Sequence, residues 1–343
     1  MSSANTIEKS LYFAVNKLHN NFFGCSPSDI EPLSSHGSDR TILRLHRANS
    51  TSIGIINNHL DENRSFIAFA GHFRKFGINI PEIYNVSEDN TSYLMEDLGD
   101  TTLLKEIHQN GNAEFGEKES GLYKQVLEIL PEFQVRAGNT VDYSFCYQFS
   151  EFAEENIRFD LDYFCKRFLK NFYPGNINEE LLKTDFDFLV SKILELERSY
   201  FMYRDFQSRN IMIRDNKFYF LDFQSGRRGA LLYDPASLLY DAKAEIPHQA
   251  REELIEHYLD VIKKYSGINS SQYKEYFWYF AIIRILQAMG AYGFLGIVKK
   301  KSRFLESIPY ALNNIRFILD NRIEHKNFKH LRKLFSEIKY EKT

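Results

Sequence analysis

Apolar residues in the first hundred positions of the chain switch between helical and strand spacing. In residues 7–23 an apolar side chain recurs every three or four positions, which predicts an amphipathic helix with one buried stripe. The stripe consists of Leu11, Val15, Leu18 and Phe22. Helical spacing returns over Arg64–Phe76, and we expect the glycine and proline of Gly77–Pro81 to end that second helix.

Shorter runs with β-branched and aromatic residues lie around the second helix and predict five strands. These runs are Ile30–Leu33, Thr41–His46, Ser52–Ile56, Ile83–Ser87 and Ser92–Glu96. Together they predict a small sheet with one packed helix.

Helical spacing dominates from Leu98 onward. This order of elements predicts an α+β fold with two lobes. We expect a small, sheet-containing N-terminal lobe over residues 1–97, a hinge near Glu96–Gly99, and a larger, mainly helical C-terminal lobe over residues 98–343.

A predicted hairpin interrupts the helical part of the chain. Ile211–Ile213 and Lys217–Leu221 alternate on either side of a turn at Arg214–Asn216. Because the arms of a hairpin are antiparallel, the residues at their outer ends are neighbours. Those outer ends carry Asn210 and Asp222.

The spacing of three polar residues predicts phosphoryl-transfer chemistry. Asp205 lies five residues before Asn210, and Asp222 follows Asn210 by twelve. In such sites one carboxylate orients the attacking hydroxyl, while an amide and a second carboxylate bind magnesium. We therefore interpret Asp205 as catalytic, with Asn210 and Asp222 as Mg²⁺ ligands. Either half of the motif alone would be an ordinary turn or helix cap, but order, spacing and strand placement together favour a kinase.

The motifs continue after the hairpin and carry a family resemblance. Arg204–Asn210 is similar to R-D-Y/F-x-x-x-N, Leu221–Gln224 is similar to L-D-F-Q, and Tyr233–Asp241 follows at the spacing of aminoglycoside, choline and sugar kinases. On these residues the chain resembles the aminoglycoside phosphotransferase family. It looks most like the branch that phosphorylates N-acetylmuramate or N-acetylglucosamine at the anomeric hydroxyl. The resemblance covers residues 10–320 and implies a protein-kinase-like bilobal fold, ATP and Mg²⁺ as cofactors, and Asp234 as a brace for the catalytic loop.

One departure from the kinase pattern concerns a lysine. Most of the kinase-like superfamily has a lysine on the third strand, which binds the α- and β-phosphates and pairs with a helix glutamate. The corresponding segment here, Ser52–Asn58, contains none. The anomeric sugar kinases resemble this chain in lacking it, so the absence favours that branch over aminoglycoside resistance enzymes. The same absence leaves open a non-catalytic protein with this fold.

We expect the nucleotide-binding residues in two segments of the N-terminal lobe. Glu31–Arg44 predicts two strands joined by a turn of small residues, where backbone N–H groups can approach phosphate. Its similarity to the S-x-R-x-x-x-R stretch of the sugar kinases points to Ser38, Arg40 and Arg44. The segment Tyr93–Gly99 resembles the hinge that binds adenine. Its candidate contacts are Met95, Glu96 and Leu98.

Residues that flank the catalytic motifs are candidates for binding the acceptor. They are Gln207, Arg209, Arg227, Arg228 and Asp241. The two consecutive arginines would suit a carboxylate or phosphate and argue against a cationic acceptor. A group of acids within residues 151–169 would suit sugar hydroxyls, but the pattern favours a solvated helix face over an aromatic core. This group contains Glu154, Glu155, Asp160 and Asp162.

Composition narrows the possible partners. The net charge of −3 gives no sign of a broad nucleic-acid-binding surface. Three scattered cysteines suit neither a disulfide scaffold nor a zinc site, and residues 1–8 lack the apolar core of a signal peptide. The apolar run Phe277–Val298 contains Arg284 and Gln287, so we interpret it as a buried helix and not as a membrane span. A cytoplasmic protein without nucleic-acid or membrane partners is expected.

The function predicted from the sequence is ATP- and Mg²⁺-dependent phosphorylation of a hydroxyl on a small polar substrate, with an amino sugar as the preferred class. One alternative keeps this chemistry and changes the acceptor to an aminoglycoside, choline or another amine-bearing alcohol. Another is a non-catalytic nucleotide-binding or scaffold protein. The missing lysine motivates that reading, and the intact Asp205, Asn210 and Asp222 oppose it.

Overall fold

Two units divide the chain, and neither is continuous in sequence. The computed structural model describes residues 2–34, 37, 39–108 and 115–340. Unit 1 comprises Met1–Thr102, Val141–Gln148 and Asn210–Ser225. Unit 2 comprises Leu103–Thr140, Phe149–Arg209 and Gly226–Thr343.

Along the part of the chain that the structure describes, the strands are numbered β1 to β9 in order. They are β1 (Asp29–Leu33), β2 (Thr41–Arg47), β3 (Ser50–Ile56), β4 (Ile83–Val86), β5 (Ser92–Glu96), β6 (Tyr200–Met202), β7 (Ile211–Arg214), β8 (Lys217–Phe220) and β9 (Arg227–Gly229). The first five form one antiparallel sheet in the order β1-β2-β3-β5-β4 within unit 1. The five strands predicted for this region are confirmed, each within two residues of its predicted bounds.

Within the described residues, the α-helices are numbered α1 to α12 in chain order. They are α1 (Ser2–Phe23), α2 (Leu60–Lys75), α3 (Leu103–His108), α4 (Glu117–Pro131), α5 (Glu154–Phe164), α6 (Lys170–Phe172), α7 (Glu179–Leu194), α8 (Tyr233–Leu239), α9 (His248–Ser266), α10 (Ser270–Gly293), α11 (Ile308–Arg322) and α12 (Lys329–Glu337). All but the first two belong to unit 2, in agreement with the predicted dominance of helices after Leu98.

The sheet of unit 1 is covered by a helix on each face. Successive residues of a strand point to opposite faces. In β5, Leu94 is buried in one core with Val15 and Leu18 of α1, whereas the ring of Tyr93 stacks on Phe66 of α2 at 5.4 Å. The sequence predicted one packed helix, and the structure has two.

The predicted stripe on the first helix is confirmed in part. Val15 and Leu18 are buried. Phe22 is about half exposed and stacks on Tyr84 of β4. Leu11 lies outside the residues whose side chains are described.

The hairpin β7–β8 packs within unit 1. Met212 bridges to Thr102, and Phe220 N–H donates to the carbonyl of Asn79 at 3.1 Å. Just after the hairpin, Phe223 stacks on Phe66 of α2 at 4.8 Å between ring centroids. The sequence assigned this segment to the C-terminal lobe, because local spacing does not report such distant contacts.

Unit 2 is built around α10. This helix continues as a π-helical turn to Val298, and Ser270–Val298 is long and apolar enough to cross a membrane by length and composition alone. More than half of the most apolar stretch of this helix is buried within the structure. Arg284 is among the buried residues. This burial matches the predicted core helix.

Candidate active site

The hairpin of unit 1 brings two candidate metal ligands together. Asn210 directly precedes β7, Asp222 lies two residues after β8, and Leu221 N–H donates to the Asn210 carbonyl at 2.9 Å. Asn210 Nδ2 lies 3.4 Å from Asp222 Oδ2. The predicted proximity of these two residues is therefore confirmed.

The donors at the end of the hairpin suit magnesium. An amide oxygen and a carboxylate are ligands that a hard divalent cation prefers. The side chain of Asp222 is 36% exposed, so a cation from solvent can reach it. Its φ of +66° is strained for a residue with a side chain, and such backbone is frequent at ligand sites. Asn210 and Asp222 would thus be the residues that hold Mg²⁺.

An ion-pair cluster surrounds Asp222 within unit 1. The guanidinium of Arg40 pairs with Glu62 of α2, and its Nη1 also donates to Asp222 Oδ1 at 3.2 Å. Gln224 Nε2 donates to the same Asp222 oxygen at 2.7 Å, and Asn57 Nδ2 donates to Glu62 at 2.9 Å. Burial opposes the charge of Arg40, but the carboxylates of Asp222 and Glu62 raise its pKa above the usual value.

The other two residues predicted to bind phosphate are Arg44 and Ser38. The guanidinium of Arg44 donates to Asp97 at 2.6 Å and to Asp100 at 2.9 Å, just after β5. Hydrogen bonds to Asp100 and Asp97 raise the pKa of Arg44. These carboxylates favour a bracing role for Arg44 over the predicted contact with phosphate. Ser38 lies outside the described residues.

The predicted hinge residues lie at the end of β5. Met95 pairs with the neighbouring strands on both sides. Glu96 N–H donates to the carbonyl of Glu82 at 2.8 Å, and the Glu96 carboxylate pairs with Arg214. Leu98 is buried. Because the Glu96 N–H is already bonded within the sheet, the predicted contact with adenine would have to use other main-chain groups of the hinge.

Asp205 lies in unit 2, in a tight turn after β6. Its N–H donates to the Tyr203 carbonyl at 3.1 Å, across Arg204, whose φ is +79°. This is the geometry of a γ-turn with positive φ, which is strained for a residue as large as arginine. Such strain persists only where neighbouring groups fix the backbone.

A buried ion pair holds the strained residue. Arg204 donates to both carboxylate oxygens of Asp160 in α5, at 2.8 and 2.7 Å, and both side chains are almost fully buried. Burial opposes the charge of Arg204, but Asp160 raises its pKa. The interpretation of this helix as a solvated acidic face is therefore wrong for Asp160. It is confirmed for the exposed acids Glu154, Glu155 and Asp162.

Asp234, at the start of α8, fixes the backbone of the same turn. Its carboxylate accepts hydrogen bonds from Tyr203 N–H and Arg204 N–H, each at 2.9 Å, and from Gln134 Nε2 at 3.0 Å. Burial raises the pKa of Asp234 to about 7, against these three donors, which favour the ionised form. The contacts support the predicted bracing role.

The candidate acceptor residues differ in exposure. Gln207 and Arg227 are buried, and Arg227 Nη1 donates to Asn156 at 2.6 Å. Arg209 and Arg228 are more exposed. The burial of Arg227 argues against the predicted use of both consecutive arginines for a carboxylate, because adjacent residues of β9 point in opposite directions.

Asp241, just after α8, has an unsatisfied carboxylate oxygen. Its Oδ2 is buried without a hydrogen-bond partner among the described residues, while Lys243 N–H donates to its Oδ1 at 3.3 Å. Burial raises the pKa of Tyr292 to about 12, Asp241 adds to the rise, and Arg284 and Arg209 oppose it. These four side chains therefore share one electrostatic neighbourhood in unit 2.

Three residues of these clusters were missed by sequence reasoning. Glu62 has a usable signal, since the kinase pattern expects a glutamate on the helix after the third strand, and α2 follows β3. Asp160 also has a usable signal, because Ile157, Leu161 and Phe164 recur around it at helical spacing and place it on the buried face of α5. Arg284 was noted only as a charge within an apolar run.

The family of the chain follows from comparison with known proteins. Residues 29–268 match the phosphotransferase enzyme family (APH). Since this match covers more than half of the sequence, the chain belongs to that family. The predicted resemblance is confirmed.

Two relatives carry the name N-acetylmuramate/N-acetylglucosamine kinase. The protein of Pseudomonas aeruginosa is 28% identical over 225 residues, which are 64% of this chain and 62% of the relative. The protein of Neisseria meningitidis serogroup B is 24% identical over 246 residues, 70% of each chain. The matched region thus spans less than two thirds of the Pseudomonas protein.

Solved structures show the fold. The ADP-bound aminoglycoside phosphotransferase APH(2'')-Ib has a TM-score of 0.57 and 14% identity, with 89% of this chain and 97% of that chain covered. The predicted α+β, protein-kinase-like fold is confirmed.

Proposed function

We propose that this chain is an ATP- and Mg²⁺-dependent kinase that phosphorylates a hydroxyl of an amino sugar of the N-acetylmuramate or N-acetylglucosamine type. The observation that carries the proposal is the pairing of Asn210 with Asp222 at the end of the hairpin. Membership of the phosphotransferase enzyme family and the names of both relatives support it. With ATP as the donor, we expect the reaction to take place in the cytoplasm.

The catalytic roles follow from the chemistry of phosphoryl transfer. Asp205 accepts a hydrogen bond from the acceptor hydroxyl and orients its oxygen, and because the transition state is loose, placement matters more than basicity. Asn210 and Asp222 would hold a magnesium ion, and this ion would supply positive charge to neutralise the phosphates. Asp160 and Asp234 keep the turn at Arg204 in the conformation that positions Asp205.

The electrostatic neighbourhood of Asp241 supports an acceptor that is neutral or anionic. It combines one carboxylate with two guanidinium groups, Arg209 and Arg284. An N-acetylated sugar offers hydroxyl and amide groups to both signs of charge, and a lactyl carboxylate would pair with an arginine. Of the two arginines, Arg209 is the exposed one and would repel a polycation.

The proposal is tested by ATP consumption with Mg²⁺ in the presence of candidate acceptors. The panel contains N-acetylmuramate, N-acetylglucosamine, other hexosamines, an aminoglycoside and choline. We expect turnover with an N-acetylated amino sugar and a loss of kcat by about 10²–10⁴-fold in Asp205→Asn. Asp215→Asn is the matched control, since Asp215 lies in the exposed hairpin turn, and it should keep the parent rate.

Two results would contradict the proposal. Equal turnover by Asp205→Asn and the parent would exclude the mechanism. ATP binding without consumption on any acceptor of the panel would favour the non-catalytic alternative.

A further inference from the structure

The proposed nucleotide site lacks the strand lysine that usually binds the donor phosphates in kinases. Strand β3 contains no lysine, so a kinase reaction in this chain needs another cation for the donor phosphates. Arg40 combines two properties of such a residue. Its side chain is only 12% exposed, and it pairs with Glu62, a glutamate in the first turn of α2.

The two ends of the Arg40 guanidinium have different surroundings. Nη2 pairs with Glu62, which is itself fixed by Asn57 Nδ2 at 2.9 Å. Nη1 points to Asp222 Oδ1 at 3.2 Å. Gln224 Nε2 reaches both carboxylates, Asp222 at 2.7 Å and Glu62 at 3.4 Å. One end is thus anchored on a helix, and the other contacts a proposed magnesium ligand.

We infer that Arg40 is the phosphate-binding cation of the nucleotide site and that Glu62 is the residue that positions it. This inference rests on the proposed function. Nη2 stays on Glu62, while Nη1 exchanges the Asp222 carboxylate for a phosphate oxygen of the nucleotide. The exchange would take the guanidinium away from the Asp222 carboxylate, which would then hold magnesium while Gln224 stays bonded to it.

Arg44 does not offer the same arrangement. Its guanidinium is engaged by Asp97 and Asp100, which lie in the segment after β5. Neither carboxylate is a proposed metal ligand, and neither lies on α2. The helix-anchored cation is therefore Arg40.

The inference predicts effects of opposite sign on two ligands. In the protein without nucleotide, Arg40 and a divalent cation compete for Asp222, because the guanidinium compensates the charge of that carboxylate. Loss of Arg40 should therefore weaken the binding of phosphates and strengthen the binding of a metal ion alone. If the role of Arg40 were purely structural, its loss would not change the phosphate affinity and the metal affinity in opposite directions.

Calorimetric titration tests the phosphate contact with ADP and Mg²⁺, and with adenosine as the probe that lacks phosphate. We expect Arg40→Gln to bind ADP about 10- to 100-fold more weakly, which corresponds to the loss of a charged hydrogen bond. Adenosine affinity should not change. Arg64→Gln is the matched control, since Arg64 lies on α2 in an exposed pair with Asp61.

A second set of variants tests the positioning role. Glu62→Gln should weaken ADP binding by less than Arg40→Gln, and the double variant should bind ADP no more weakly than Arg40→Gln alone. Arg40→Lys, which keeps the charge but loses the planar fork, should lie between the parent and Arg40→Gln. Mn²⁺ titrated alone should bind about 3- to 10-fold more tightly to Arg40→Gln than to the parent.

The inference is overturned if Arg40→Gln binds ADP as tightly as the parent, or if it loses adenosine affinity to the same extent. If Arg40→Gln does not fold, unchanged ADP affinity in Glu62→Gln overturns it. A parent protein that binds neither ADP nor ATP would instead refute the proposed function itself, so the two failures are distinguishable.

Discussion

At the scale of single residues, the main feature is the strained turn before Asp205. Arg204 has a positive φ and needs support on both its backbone and its side chain. Asp234 accepts hydrogen bonds from the backbone, and Asp160 pairs with the guanidinium. Neither acid needs to touch a substrate for its loss to disturb Asp205.

Asp160→Asn is expected to lower the free energy of unfolding by about 3–5 kcal/mol, because it leaves a buried guanidinium without a compensating charge. Urea denaturation measures the effect. Asp162→Asn is the matched control on the same helix. Asp162 forms an exposed pair with Lys166, which is worth at most about 1 kcal/mol. Equal effects of the two substitutions would show that the buried pair is not needed to hold the turn.

At the scale of secondary-structure elements, one close approach fixes α10 in unit 2. The π-helical turn Cys165–Leu169 passes so near Gly293 that a Cβ on this glycine would lie 2.0 Å from the Arg167 carbonyl oxygen. A contact with backbone cannot be relieved by a side-chain rotation. Glycine at position 293 is therefore required for this packing.

Gly293→Ala is expected to destabilise the protein by about 1–3 kcal/mol or more, because the two segments must separate. Gly121→Ala in α4 is the control, since a Cβ there would have no neighbour within 4 Å. That substitution should be neutral or stabilising by up to about 1 kcal/mol, through better helix propensity. Thermal unfolding of both variants checks the prediction, and a more stable Gly293→Ala would refute it.

At the scale of the whole molecule, a boundary between the two units falls within the sequence motif Asp205–Asn210. Asp205 belongs to unit 2, whereas Asn210 and Asp222 belong to unit 1, and the boundary falls between Arg209 and Asn210. A ligand that binds only the folded protein raises its stability by mass action. The proposed metal ligands therefore predict a magnesium-dependent stabilisation by ATP.

We expect ATP at about 100 times its dissociation constant to stabilise the parent by about 2.7 kcal/mol in the presence of Mg²⁺. Excess EDTA should remove most of this gain. Asp222→Asn should show little difference between Mg²⁺ and EDTA, while Asp215→Asn, at the other end of the same hairpin, should respond as the parent does. Thermal shift assays provide the measurement. Equal stabilisation of the parent by ATP with Mg²⁺ and with EDTA would contradict the assignment of the metal ligands.

The sequence alone determined the strands of the five-stranded sheet in unit 1 and the pairing of Asn210 with Asp222. Strand alternation has a period of two, and a short hairpin fixes which residues are opposite each other, so both follow from local spacing. The order of Asp205, Asn210 and Asp222 likewise follows from the requirements of phosphoryl transfer, and these requirements do not depend on the rest of the chain.

Only the tertiary structure decided which charges meet. Arg40 contacts Asp222 across 182 positions of sequence, and Arg204 contacts Asp160 across 44. It also decided that the hairpin belongs to unit 1. Local spacing shows which residues share a face of a strand or helix. The partner of a charged group depends on how distant segments pack, so it cannot be predicted from the sequence of one segment.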